Sequence, residues 1–143
     1  VVENGVFKTF LHNLKTAYKQ GVTTTGNASG STVAPSNFFI KPGETRFDDL
    51  VANVGDGLLI TNVMGLHSGA NAVSGDFSLG ASGFMIEGGK IGRPVKGITV
   101  AGNFLKLLCD VTELGSDLWF GMPGSSCVGA PSAIVSALSV AGE

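Results

Sequence analysis

Charge is what this sequence has least of. Only 14% of its 143 residues are Asp, Glu, Lys or Arg, against about 25% in an average soluble domain. Nine basic and eleven acidic residues leave a net charge of -2. That balance excludes a nucleic-acid binder working through a broad cationic face, because neutralising many phosphates needs a basic excess. Histidine and cysteine are nearly as scarce, with two of each. Neither His12 nor His67 opens an H-E-x-x-H spacing, which would set two imidazoles on one helix face for zinc, and neither cysteine sits in a C-x-x-C pair. There is no G-x-S-x-G, and no glycine-rich stretch ends in G-K-S/T. Long apolar runs are missing too. The mean hydropathy is +0.33, yet stretches such as Gly57-Leu58-Leu59-Ile60 are strand-sized, far short of the roughly 20 residues that cross a bilayer. Neither a nucleic-acid nor a membrane partner is expected. No secretory signal is visible, and Val1-Val2 in place of an initiator methionine reads as a piece of a longer protein.

What is abundant is glycine, 22 residues, about twice the usual share of about 7%. The length suits one domain over residues 1–143 with a sizeable core. Asn4-Gly5 between Val2 and Phe7 signals a hairpin. Phe10, Leu14, Ala17 and Tyr18 give Thr9 to Gln20 a helical spacing that Gly21 stops, with His12 inside it. Thr23 to Thr32 reads as loop and Asn37 to Ile40 as strand. Thr45 and Asp48 resemble a capping box before a stripe of Phe47, Leu50, Val51 and Val54, closed by Gly55. A further helix is predicted over Asn103 to Glu113, with Cys109 as a small core residue. Strands are predicted at Leu58–Met64, Phe84–Ile86 with a Glu87-Gly88-Gly89-Lys90 turn to Ile91, Gly97–Ala101, Asp117–Phe120 and Ser132–Val140, Pro94 ending a strand or lying at an edge. The fold class is therefore α+β and β-rich: a mostly antiparallel sheet or barrel-like domain with two or three short helices.

The most informative segment is Gly65 to Ser78, small, polar and glycine-dense between two apolar strands. Such a loop lets backbone N–H groups approach a ligand or another chain. It equally allows sharp bends tied by Asn71, Asp76 and Ser78. His67 is a possible general base or a loop histidine satisfied by backbone and water. Cys127 lies in a Gly/Ser/Pro-rich loop, which predicts an exposed thiol, and Gly121-Met122-Pro123-Gly124-Ser125-Ser126 reads as loop rather than phosphate cradle.

Ser74-Gly75-Asp76-Phe77-Ser78, the run from Gly80-Ala81-Ser82-Gly83 through Glu87-Gly88-Gly89-Lys90-Ile91, Pro94-Val95, and Ile98-Thr99-Val100-Ala101-Gly102-Asn103 together resemble the C-terminal part of the TldD/PmbA (TldE) family. Asn4-Gly5-Val6, Thr16-Ala17, Thr25-Gly26-Asn27 and the ending Leu138 to Gly142 follow the same pattern. That family of metallopeptidase subunits has carried the label modulator of DNA gyrase. The resemblance implies a C-terminal structural or interface domain of a PmbA/TldE-type subunit, cytoplasmic, without zinc ligands of its own. It implies zinc on a TldD-type partner subunit, pairing with that subunit or with itself, and a peptide substrate. Cys127 does not match the family's zinc cysteine, whose context is C-G-K-x-G-Q, because Val128-Gly129-Ala130-Pro131 follow it. The expected substrate or interface contacts are His67, Ser68, Asn71, Asp76 and Ser78, with no catalytic residue. The alternative is a hydrolase site of His67 and Asp76 with Cys127 as nucleophile.

Overall fold

The computed structural model describes residues 1–121 and 127–142. The chain forms two compact units, Val1–Lys41 with Leu118–Ala130, and Pro42–Asp117 with Pro131–Glu143. The loop reading of Met122 to Ser126 falls outside the described residues.

In the first unit, β1 (Val2–Glu3) and β2 (Val6–Phe7) form the predicted hairpin. Asn4 and Gly5 take φ of 50° and 74°, the left-handed pair that a type I′ turn requires. Helix α1 (Leu14–Gln20) starts later than the spacing predicts, because Asn13 caps it. The Asn13 side chain accepts from Thr16 N at 2.9 Å, while Asn13 N donates to Thr16 Oγ1 at 3.1 Å. His12 therefore precedes the helix and is buried. Its carbonyl accepts from Thr25 N, Asn27 N and the Thr24 and Thr25 hydroxyls, which folds the polar loop back onto the start of α1. The strand β3 (Asn37–Phe39) pairs in parallel with β9 (Cys127–Ala130), which pairs antiparallel with β8 (Trp119–Phe120). The predicted strand from Asp117 shortens to these two residues, since Asp117 turns aside to bond Ser132.

The second unit is built on one antiparallel sheet in the order β11-β6-β5-β4. These are β4 (Gly57–Met64), β5 (Asp76–Glu87), β6 (Lys90–Asn103) and β11 (Ser139–Ala141). Among the described residues the sheet is open and closes no barrel. The predicted hairpin and the predicted strand Gly97–Ala101 merge into the long β5–β6 ribbon, turning at Gly88-Gly89. Pro94 lies inside β6 opposite Phe84, next to a register shift, a position where proline's missing N–H breaks no regular ladder. Side chains alternate. Leu79, Ala81, Ile98 and Val100 form the core, with Leu58, Ile60, Phe77, Val95 and Leu138 packed on them.

Helix α2 (Phe47–Val54) carries the predicted stripe and buries Leu50 and Val51. Its N-cap is Arg46 without a side-chain bond; the expected capping threonine, Thr45, instead donates to Glu113 Oε1 at 2.6 Å. The one-turn α3 (Leu66–Gly69) had no periodic signal in the sequence. Helix α4 (Phe104–Cys109) stops at Asp110, short of Glu113, and Val111 already belongs to β7 (Val111–Leu114), which pairs with β10 (Ala133–Val135). The predicted strand Ser132–Val140 is thus two strands with different partners. Cys109, expected in the core, is exposed at the end of α4, and both cysteines are free thiols. Four helices replace the two or three expected among the described residues, and none is long and apolar enough to cross a membrane.

Candidate functional site

The 65–78 segment is organised by its own hydrogen bonds. Gly65 opens α3, accepting from Ser68 N at 3.1 Å and Gly69 N at 2.7 Å. Gly69 lies so close to β5 that a Cβ there would run into the Ser78 carbonyl oxygen, so only glycine lets the turn rest on the strand. Asn71 accepts from Val73 N at 2.9 Å and Ser74 N at 3.1 Å through its side chain, and Asn71 N donates to Asp76 O at 2.8 Å.

The loop is anchored by Asn103, which the sequence reading placed at a helix start and at the end of a family-like motif but not among the site residues. Its Nδ2 donates to Asp76 Oδ1 and to Ser74 O, both at 2.9 Å. Its Oδ1 caps α4 by accepting from Leu105 N at 3.0 Å and Lys106 N at 3.4 Å. The available signal was Gly102-Asn103 ahead of an apolar helical run, a capping position. Asn103 first, and the Ser74 hydroxyl second, hold the Asp76 carboxyl below the usual carboxylate range.

Of the five predicted contacts, Ser68, Asn71, Asp76 and Ser78 line one shallow depression of about 650 Å³, and His67 is not among its lining residues. His67 stands exposed on α3. No hydrogen bond joins His67 to Asp76 among the described residues, and Asp76 is held by Asn103. Cys127 starts β9 in the first unit, half-buried, with its N–H donating to Ser36 O at 2.7 Å.

Beside the depression lies a larger groove of about 1130 Å³, between α2, the inner face of the sheet and residues 132–140. Asn53, on the groove's lining, donates to Glu113 at 3.1 Å, and Glu113 also accepts from Thr45 at 2.6 Å. Thr45 first and Asn53 second lower the Glu113 carboxyl. For both carboxyls the folded value lies below the unfolded one. The stability they contribute is therefore full above the ordinary carboxylate range and lost as pH falls through the lowered folded value. Asn103→Ala is expected to cost about 1 kcal/mol at neutral pH through the lost cap. It should also move the Asp76 carboxyl up toward the ordinary range, with the Ser74 hydroxyl still lowering it, and reduce its share of the acid limb. Side-chain carboxyl NMR titration and urea melts at pH 7 and pH 3 check this.

Over residues 1–142 the sequence matches the PmbA/TldA metallopeptidase C-terminal domain. The chain belongs to the PmbA/TldD family. A Haemophilus influenzae protein named metalloprotease PmbA homolog is 40% identical to this PmbA/TldD domain over 119 residues, 82% of this chain and 25% of that protein. A Thermotoga maritima structure described as a candidate modulator of a DNA gyrase superposes with a TM-score of 0.86 at 46% identity, over 98% of this chain and 32% of that one. TldE from Thermococcus kodakarensis gives a TM-score of 0.80 at 25% identity, over 99% and 33%. The domain thus spans 25% of the length of the curated PmbA relatives it matches.

The family description implies a metal. Among the described residues no three of His, Cys, Asp and Glu stand together to share an ion. The carboxylates of Asp76, Glu113 and Asp117 are engaged by amide and hydroxyl donors. The described residues of this domain do not by themselves form a metal site.

Proposed function

We propose that this domain serves as a non-catalytic interface and cavity-lining part of a PmbA/TldE-type subunit in a cytoplasmic metallopeptidase assembly acting on unfolded peptides. Its partner is a TldD-type subunit, which holds the zinc, or a second copy. The observation that carries the reading is the amount of large apolar surface left uncovered on a charge-poor chain. On α1, Leu14 and Tyr18 are 78% and 89% exposed, and Phe10 just before it is 66% exposed. Leu14 and Tyr18 are four apart and share one helix face. On α4, Phe104 and Leu105 are likewise exposed. Surfaces of this kind mark association sites. The relatives' PmbA and TldE names support the choice of branch.

Two measurements test this. Elemental analysis is run on the isolated subunit and after mixing with a TldD-type subunit, with light scattering to weigh the product. Zinc is expected only in the mixture, in a complex heavier than either subunit. Stoichiometric zinc on the isolated subunit would overturn the assignment. The double variant Leu14→Ser with Tyr18→Ser should keep folding stability within about 0.5 kcal/mol, as exposed positions do, while weakening assembly at least tenfold. Unchanged assembly removes α1 from the interface.

A further inference from the structure

We propose that the turn over residues 71–75 is a preformed knob, which a second copy of this chain receives in its groove, so that each copy plugs the other. The inference rests on the interface reading above and gives the second copy a contact.

The backbone of the turn has little to offer a polar ligand. All four N–H groups from Val73 to Asp76 are taken inside the loop. Val73 N and Ser74 N donate to Asn71 Oδ1, Gly75 N to Asn71 O, and Asp76 N to Ser74 Oγ. From β6 and α4, Asn103 Nδ2 holds Ser74 O and Phe104 N donates to Gly75 O at 2.7 Å. What the tied turn presents is the side chain of Val73, 98% exposed. A single exposed apolar residue is ordinary on a protein surface. This one stands on a turn already fixed in shape, which loses little freedom on binding. Phe104, its neighbour Leu105, and Leu66 on the groove lining are each more than half exposed as well. Together they form the kind of apolar patch that marks a protein contact.

The receiving surface lies on the same rim. Ala70, Asn71, Ala72, Gly75 and Asp76 line the groove, whereas Val73 and Ser74 do not. Val73 thus stands beside its own chain's groove and not in it. A knob next to a hole is self-complementary, because a twofold axis between them seats each knob in the other's hole. The chemistry matches. Leu58, Ile60, Leu79 and Leu138 give the groove apolar walls, and residues 71 to 75 carry no charge to set against its carboxyls, Asp56 and Asp76. Both halves of the contact sit on this one chain, which favours a second copy over a different partner.

The test uses the full-length subunit carrying this domain, with self-association measured by sedimentation equilibrium. Val73→Asp should weaken pairing at least tenfold while leaving the urea midpoint unchanged, since the position is fully exposed. Asn71→Ala should weaken it at least threefold with Val73 still present, because the turn is no longer held. Ala137→Glu puts a charge on an exposed position of the groove lining and should also weaken pairing at least tenfold. Mixing Val73→Asp with Ala137→Glu restores one sound contact of the two, so the mixed pair should form at least threefold more tightly than either variant with itself. No self-pairing of the wild type, wild-type pairing in any of the three variants, or no gain in the mixture would each overturn the inference. Weakening by Val73→Asp confined to the complex with a TldD-type subunit would overturn it too. A wild-type complex with the TldD-type subunit, alongside variants that self-pair normally, sinks only this inference. A wild type that forms neither complex sinks the reading beneath it.

Discussion

Gly83→Ala is expected to destabilise the domain by about 3 kcal/mol, at the upper end of what overpacking a tight site costs. Gly80→Ala, three residues earlier in the same strand, should be neutral or stabilising by up to about 1 kcal/mol, since alanine restricts the unfolded chain. The difference lies in what each Cβ would meet. At Gly83 it would run into the Leu59 carbonyl oxygen and stand 3.0 Å from Ile60 Cα, so the backbones of β4 and β5 would have to separate. At Gly80 the nearest atom is Met64 Cε at 3.8 Å, an ordinary contact at the end of a flexible side chain. Urea denaturation of the two variants side by side checks the pair. Equal midpoints would mean that β4 does not approach β5 so closely.

Leu79→Ala should cost about 2 kcal/mol, near the low end for truncating a buried leucine. Leu79 is 6% exposed and sits among Ala81, Ile98 and Val100. It also lines the groove, so part of the space it vacates joins a volume already open to water, and the cavity penalty is reduced. Leu105→Ala on the exposed face of α4 should stay within about 0.5 kcal/mol. Calorimetric melts of the two variants distinguish a core leucine from a surface one at equal chemistry.

These positions show where the sequence was readable and where it was not. Helix α2 was legible because Phe47, Leu50, Val51 and Val54 repeat at helical spacing and Gly55 closes them. The β1–β2 hairpin was legible because Asn4-Gly5 suits only one kind of turn. The full length of β5 and β6 was not. Their outward positions hold Gly80, Ser82, Lys96, Gly97 and Thr99, small or polar residues that read locally as loop and become strand only through long-range pairing. Helix α4 was overextended because Val111 continues its apolar spacing, whereas Asp110 N bonds both Lys106 O and Leu107 O and closes the helix first. At the candidate site, Ser68, Asn71, Asp76 and Ser78 were named from the loop's composition, and the fold gathers them around one depression. Their organiser, Asn103, lies 27 residues beyond Asp76 in the chain and comes alongside only because β5 and β6 pair from end to end. Exposed Cys109 was misplaced for a related reason: an apolar run beside it suggests burial, and nothing local shows which face of α4 the rest of the unit covers.

The parallel pairing of β3 with β9 bears on the order of folding. Asn37 meets Cys127, so this contact closes a loop of roughly ninety residues, and the entropy of closure must be met before any hydrogen bond repays it. The β5–β6 ribbon turns within two glycines and zips from that turn. Local contacts of this kind form early and distant ones late. The second unit is therefore expected to reach its native pairing while the first is still unjoined. Its folding shortens the span of chain that β3 and β9 must search.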